Sequence, residues 1–257
     1  MSSVDKALKV LLLLGSESEP LGVREIGRRL DMSPPTVHRL LTTLAAYGFA
    51  QQIDGRREYR LGWACLDLGR AVLAGTDIYR VGPPVALRLR DATTETVTIQ
   101  VPAGHDQVCI FEAEGLHEVT RRVGVGRRMP LHAGASGRAI LAFLSEAEIE
   151  AHLQSGLPRV GPNTVTDRAV LRRLLDDTRR TGLTRSHQES ASGIAAVSVP
   201  VFHADGRVAG SLSVSGPEAR LSDEVLDGIN PVIIDSGIAL SRELGYRAQH
   251  PAWSRVA

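Results

Sequence analysis

The five residues Asp31-Met32-Ser33-Pro34-Pro35 limit the folds open to this chain, because they spell a turn with a helix start built into it. Ser33 is suited to accept a backbone N–H as N-cap, and Pro34 fits the first helical position, where its missing donor costs nothing. Apolar residues recur at helical spacing on both sides: Val23, Ile26, Gly27 and Leu30 before the turn, Val37, Leu40, Leu41 and Leu44 after it. Val4, Ala7, Leu8, Leu11 and Leu14 predict an earlier amphipathic helix over residues 3–14, capped by Ser3 and ended by Gly15.

A short turn between two such helices is the arrangement that lays the second helix in a DNA major groove. The outward residues of that helix are expected to be Thr36, His38, Arg39, Thr42 and Thr43, with Ser33 at its start. Arg holds phosphate or guanine edges, Thr touches either, and His donates to phosphate. Next, Phe49 to Ile53 and Glu58 to Leu61 flank Asp54-Gly55, a hairpin signal. Arg56, Arg57 and Arg60 decorate this hairpin, where a wing would track phosphates or enter the minor groove. Residues 1–62 are therefore expected to form a winged helix-turn-helix. The same elements also build protein-interaction modules, and a lone surface arginine is usually only solvated. The joint pattern is what favours double-stranded DNA.

Charge supports this weakly. Residues 1–62 carry nine Lys and Arg against seven Asp and Glu, a net +2, while the rest carries 21 against 22, a net −1. Placement of the basic residues has to carry the argument. Hydrophobic residues make up 43% and charged residues 23%, which excludes disorder as the main state. No apolar run reaches the roughly 18 residues of a membrane span, and the start shows no secretory pattern. Two isolated cysteines, Cys65 and Cys109, suit neither a disulfide framework nor a zinc site. A cytoplasmic protein without metal or cofactor is expected.

Trp63, Leu66, Leu68, Gly69, Val72 and Leu73 predict a linker helix over 63–74, within a linker of residues 63–77; it packs either on a partner or within the chain. Residues 78–250 mix patterns. Helices are expected at Val81 to Asp91 after Pro83-Pro84, Ser136 to Leu144, Glu146 to Gln154, Asp167 to Thr181 and Asp223 to Leu244. Strands are expected at Thr96 to Val101, Gln107 to Glu112, Val119 to Val123, Ile194 to Val201 and Val208 to Ser215. This is an α+β domain, an antiparallel sheet with flanking helices. Gly134-Ala135-Ser136-Gly137 opens a helix, where small residues and free N–H groups either admit an anion or merely cap and turn. Ser213 and Ser215 alternate on a strand, so both hydroxyls face away from Leu212 and Val214. An enzyme is disfavoured: Arg138 occupies the last glycine position of a G-x-S-x-G elbow, and the eight histidines form no H-x-x-x-H or H-x-H pair. His132 is expected to pack or hydrogen-bond rather than ligate a metal.

Several blocks resemble the IclR-type transcriptional regulators, in the same order along nearly the whole chain. They are Leu21 to Ile26 with Ser33 to Leu41, Tyr59-Arg60-Leu61-Gly62, Val123-Gly124 to Pro130-Leu131-His132-Ala133, Ser136 to Ala142, Asn163 to Asp167, and Leu212 to Pro217. The resemblance implies a DNA-binding N-terminal domain and a GAF-like C-terminal domain that binds a small effector and helps build a homodimer or homotetramer. It maps the effector pocket onto Gly134, Ala135, Ser186, Ile194, Ala196, Ser213 and Ser215, beside Ser136. A small carboxylic acid, organic or aromatic, and a role as repressor of a catabolic operon follow as expectations. Two departures stand out: many relatives carry Lys-Ser where this chain has Pro34-Pro35, and often a Cys where it has Ala196.

Overall fold

The computed structural model of the chain describes residues 2–247, so residues 248–250 of the predicted second domain lie outside the described ones. The chain divides into two compact units between Gly75 and Thr76.

The first unit holds α1 (Ser3–Ser16), β1 (Leu21–Gly22), α2 (Val23–Leu30), α3 (Pro34–Ala46), β2 (Ala50–Gln52), β3 (Glu58–Leu61) and α4 (Ala64–Ala74). Helix α1 runs to Ser16, beyond the predicted stop at Gly15, and its cap is Ser2, not Ser3: the Ser2 hydroxyl accepts the Asp5 N–H at 3.1 Å. The turn between α2 and α3 forms as expected, with Asp31 in the left-handed region (φ 51°) and Ser33 as N-cap of α3. The Ser33 hydroxyl, however, pairs with the Thr36 hydroxyl at 2.9 Å and not with a backbone N–H. Val10, Leu14, Ile26, Val37, Leu40, Leu41 and Leu44 converge with Leu21 and Tyr59 on one apolar core. The wing is longer than a two-residue hairpin, with residues 53–57 between its strands. It gains a third strand that sequence periodicity did not show, because β1 has only two residues and pairs with β3 across the fold.

The second unit holds α5 (Asp77–Thr93), β4 (Thr96–Ala103), β5 (Asp106–Ala113), β6 (Arg128–Pro130), α6 (Ala135–Leu141), α7 (Glu146–Gln154), α8 (Arg168–Thr181), β7 (Thr184–His187), β8 (Ile194–Phe202), β9 (Val208–Pro217) and α9 (Asp223–Glu243). The six strands form an antiparallel sheet in the order β6-β5-β4-β9-β8-β7. Two expectations fail here. Helix α5 starts at Asp77 and carries Pro83 and Pro84 inside it; the two prolines remove donors from its first half without ending it. Residues 119–123 form no strand; they belong to the irregular segment 114–127 between β5 and β6.

Register explains how the sheet builds a site. Val97 lies opposite Val214 and Ile99 opposite Leu212, which in turn faces Val199. Directly opposed residues share a face, so these apolar side chains form one buried face. It is covered by α5 and α9, whose Gly82 and Gly237 lie against Ile99 and Val199. The other face carries Thr98, Ser213, Ser215, Ala196 and Ser186, opposed in register. Helix α6 packs across β8, β9 and β4.

Candidate nucleic-acid interface and effector pocket

Helix α3 turns its apolar stripe into the core and leaves His38, Arg39, Thr42 and Thr43 exposed, with Thr36 half-buried. Among the described residues Arg39 makes no ion pair or side-chain hydrogen bond, so its guanidinium is available to a ligand. The Thr42 hydroxyl donates to the His38 carbonyl at 2.9 Å and the Thr43 hydroxyl to the Arg39 carbonyl at 3.1 Å. Both threonines therefore present lone pairs and methyl groups outward, suited to exocyclic amino groups of adenine or cytosine and to the thymine methyl.

On the wing, exposed Arg56 lies 3.7 Å from the half-buried Glu58 carboxylate, an ion pair of little energetic weight. Arg60 donates to the Gln51 side-chain oxygen at 3.2 and 3.3 Å. Arg57 faces a cleft of about 600 Å³ lined also by Arg24, Pro34, Pro35 and His38. The sequence offered no means of singling out Arg24, because helix position alone does not separate a cleft arginine from a solvated one. The two prolines remove the first two amides of α3 from any anion site at its N-terminus. An anion at this cleft would meet Arg24, His38 and Arg57 rather than those amides.

In the second unit, all eight residues expected at the effector pocket line one cavity: Gly134, Ala135, Ser136, Ser186, Ile194, Ala196, Ser213 and Ser215. They come from the start of α6 and from β7, β8 and β9. Thr98, Gln100, Arg121, Val123, Met129 and Ser190 complete the lining and were missed from sequence. Gly134 has φ +88° and a would-be Cβ 3.2 Å from Ser190, so glycine suits the tight approach of this turn to the opposite wall. The Ser213 hydroxyl is committed, accepting from Ser198 at 2.7 Å and lying 3.3 Å from the Val197 carbonyl. The Ser215 hydroxyl is buried without a partner. Free space is only about 30 Å³, room for roughly one water.

Behind the pocket, Arg138 of α6 is 2% exposed and pairs with the buried Glu189 carboxylate and the Arg185 carbonyl. Burial raises the Glu189 carboxyl above its ordinary range, opposed by Arg138 and by the Gly134 N–H. A second buried cluster joins His132, between β6 and α6, to His152 of α7: His132 Nδ1 is 3.2 Å from His152 Nε2, and His132 Nε2 is 3.0 Å from the Pro158 carbonyl. His132 is thus a buried hydrogen-bonding residue.

A winged helix-turn-helix whose third helix leaves Arg39 exposed, in one chain with a sheet domain that holds a small pocket, defines the class of DNA-binding transcription regulators. Residues 3–54 match the IclR helix-turn-helix domain and residues 70–242 the bacterial transcriptional regulator IclR C-terminal domain; the chain belongs to the IclR family. It is 32% identical over 249 residues to the transcriptional regulator XynR of Escherichia coli K12, covering 96% of this chain and 99% of that one. It is 28% identical over 248 residues to the transcriptional repressor AllR of Klebsiella pneumoniae, covering 96% and 91%. Among solved structures, the IclR regulator of Alicyclobacillus acidocaldarius superposes with a TM-score of 0.81 at 28% identity, covering 95% of this chain and 98% of that one. An IclR homologue of Microbacterium hydrocarbonoxydans in complex with 4-hydroxybenzoate superposes at 0.80 and 25% identity, covering 95% and 99%. These relatives are regulators and not enzymes, as the sequence led us to expect. Among the described residues no helix is long and apolar enough to cross a membrane.

Proposed function

We propose that this protein represses a catabolic operon, and that a small organic or aromatic acid in the C-terminal pocket modulates its grip on operator DNA. Ser33, Thr36, His38, Arg39, Thr42 and Thr43 on α3, with Arg56 and Arg57 on the wing, form the DNA surface. The observation that carries this is the exposed, unpaired Arg39 on α3. The 4-hydroxybenzoate complex of the Microbacterium homologue supports an acid effector. An acid shifts operator affinity only by binding one arrangement of the paired DNA-binding domains better than another.

Arg39→Ala is expected to weaken binding to the DNA upstream of the protein's own gene by about 1–3 kcal/mol, measured by gel shift. An equal loss on random DNA, with a shallower salt slope, assigns Arg39 to phosphate instead. Unchanged affinity removes it from the interface.

A homodimer or homotetramer follows from the need to read a two-fold operator. It is supported by α4 and its N-cap Trp63: Trp63, Leu66, Leu68 and Val72 are 58–73% exposed, and no residue of α4 is buried. Leu66→Glu is expected to lower the sedimentation mass towards that of a monomer and to weaken operator binding with it. An assembly of unchanged mass places the contact elsewhere.

A further inference from the structure

The effector pocket contains one charge that no hydrogen bond or ion pair engages among the described residues. Arg121 is the only charged side chain among the described residues lining it, and it is half-buried. Its backbone carbonyl accepts the Thr96 hydroxyl at 2.7 Å, which ties its position to β4. Its guanidinium, by contrast, makes no hydrogen bond or ion pair among the described residues. Glu112, the acid whose charge acts on Arg121, has one carboxylate oxygen accepting the Val123 and Gly124 N–H groups at 3.0 and 2.5 Å. Burial, and after it the Arg127 charge, lowers the Arg121 pKa, with Glu112 opposing. A guanidinium remains cationic under such a shift. Partial burial of an unpaired cation costs stability, and an anionic ligand would relieve that cost.

A second, independent observation points to the same cavity. Ser215 is 6% exposed and its hydroxyl has no partner. Buried hydroxyls are nearly always satisfied, and this one lines the same cavity as Arg121. Val123, Met129, Ile194, Ala135 and Ala196 supply the apolar remainder of the wall.

We propose that Arg121 anchors the effector's carboxylate, that the Ser215 hydroxyl donates to the same ligand, and that the effector is a monoanionic acid with an uncharged body against Met129, Ile194 and Ala196. This rests on the acid-effector function proposed above and adds the ligand's charge and the residue that selects it. The cavity's one charged side chain, a cation, matches one carboxylate, and no other charged group lines the described cavity to hold a second. With space for about one water, the cavity admits such an acid only as its walls part.

The test uses the full chain, with acetate, pyruvate, benzoate and 4-hydroxybenzoate each paired with its amide, in thermal-shift and calorimetric titrations. At least one acid is expected to raise the melting temperature, and its amide to bind at least about 10-fold more weakly. Arg121→Gln is expected to weaken that acid by about 10- to 100-fold, as for a lost charge-assisted contact, and to weaken its amide by less than the acid, since the amide loses only a neutral hydrogen bond. Arg121→Lys is expected to recover part of the loss, and carries the test if Arg121→Gln melts early. Acid binding that persists at wild-type strength in Arg121→Gln overturns the anchor alone. An amide that binds as tightly as its acid overturns the charge assignment. Stabilisation by none of the four acids overturns the anchor and the acid effector together, while operator binding stands on its own measurement.

Discussion

Arg138→Met is expected to destabilise the protein by about 3–5 kcal/mol, read as a shift of the urea midpoint, because it strands a carboxylate in the interior. Arg138 is 2% exposed and pairs with Glu189, which is 8% exposed. The same guanidinium also donates to the Arg185 carbonyl, and the Glu189 carboxylate receives the Gly134 N–H. With the cation gone, burial is the main influence on that carboxyl, and it must either protonate or draw water inward. The pair is not itself a large net stabiliser, since both ions were desolvated to form it. Arg138→Met with Glu189→Leu is therefore expected to regain most of the loss. If the single variant loses less than about 1 kcal/mol, the interior is wetter than the burial of these groups implies. The pair also links the α6 start to the strand and loop that carry Ser186 and Ser190, so the single variant is expected to loosen the effector pocket.

What could be read from the sequence divides by the range of the interactions involved. Helices α2 and α3 and the turn between them are set by neighbours within a few residues, and their apolar stripes and the Ser33-Pro34 start of α3 sat in plain view, although the Ser33 hydroxyl bonds Thr36 and not a backbone N–H. Strands β1, β6 and β7 did not, because they have two, three and four residues and exist only through pairing with distant strands. Residues 119–123 show the converse error. Their β-branched pattern suits a strand, but Arg121 caps the Thr96 hydroxyl and Val123 binds the Glu112 carboxylate, so the backbone is spent on side chains. Gly134, Ala135 and Ser136 showed as a small-residue helix start and Ser213 and Ser215 as alternating strand hydroxyls, while Ser186, Ile194 and Ala196 came through the family resemblance; the sheet register sets Ser186, Ala196, Ser213 and Ser215 on one face. Arg121, Thr98 and Gln100 carry no local mark of function: a loop arginine looks solvated until the fold surrounds it, and a strand hydroxyl looks solvent-facing until a helix covers it.

The histidine cluster gives a pH-dependent expectation whose sign follows from hydrogen bonding. The Pro158 carbonyl can only accept, so His132 Nε2 carries a proton and, in the neutral ring, Nδ1 accepts from His152 Nε2. That leaves His152 Nδ1 bare, and it is buried without a partner. Protonating it would place a charge against His132 and His105 in the interior. Burial first, then those two rings, pushes the His152 pKa from 6.5 down to about 4, with Asp106 opposing. His132 is lowered in the same direction, again by burial. Between about pH 4 and 6.5 the unfolded chain therefore binds more protons than the folded one, and stability falls as the solution is acidified. The stabilisation is complete above pH 6.5 and is lost by about pH 4. A depression from 6.5 to about 4 corresponds to roughly 3 kcal/mol for His152. Glu189 works the other way, since its raised pKa makes the folded state the better proton binder. The contribution of His152 is thus best isolated as a difference. His152→Gln keeps an N–H for His132 Nδ1 but cannot titrate. The urea midpoint of the wild type is expected to fall faster than that of His152→Gln between pH 7 and 5. Parallel profiles would mean that His152 is protonated in the folded protein, with its bare nitrogen reached by water.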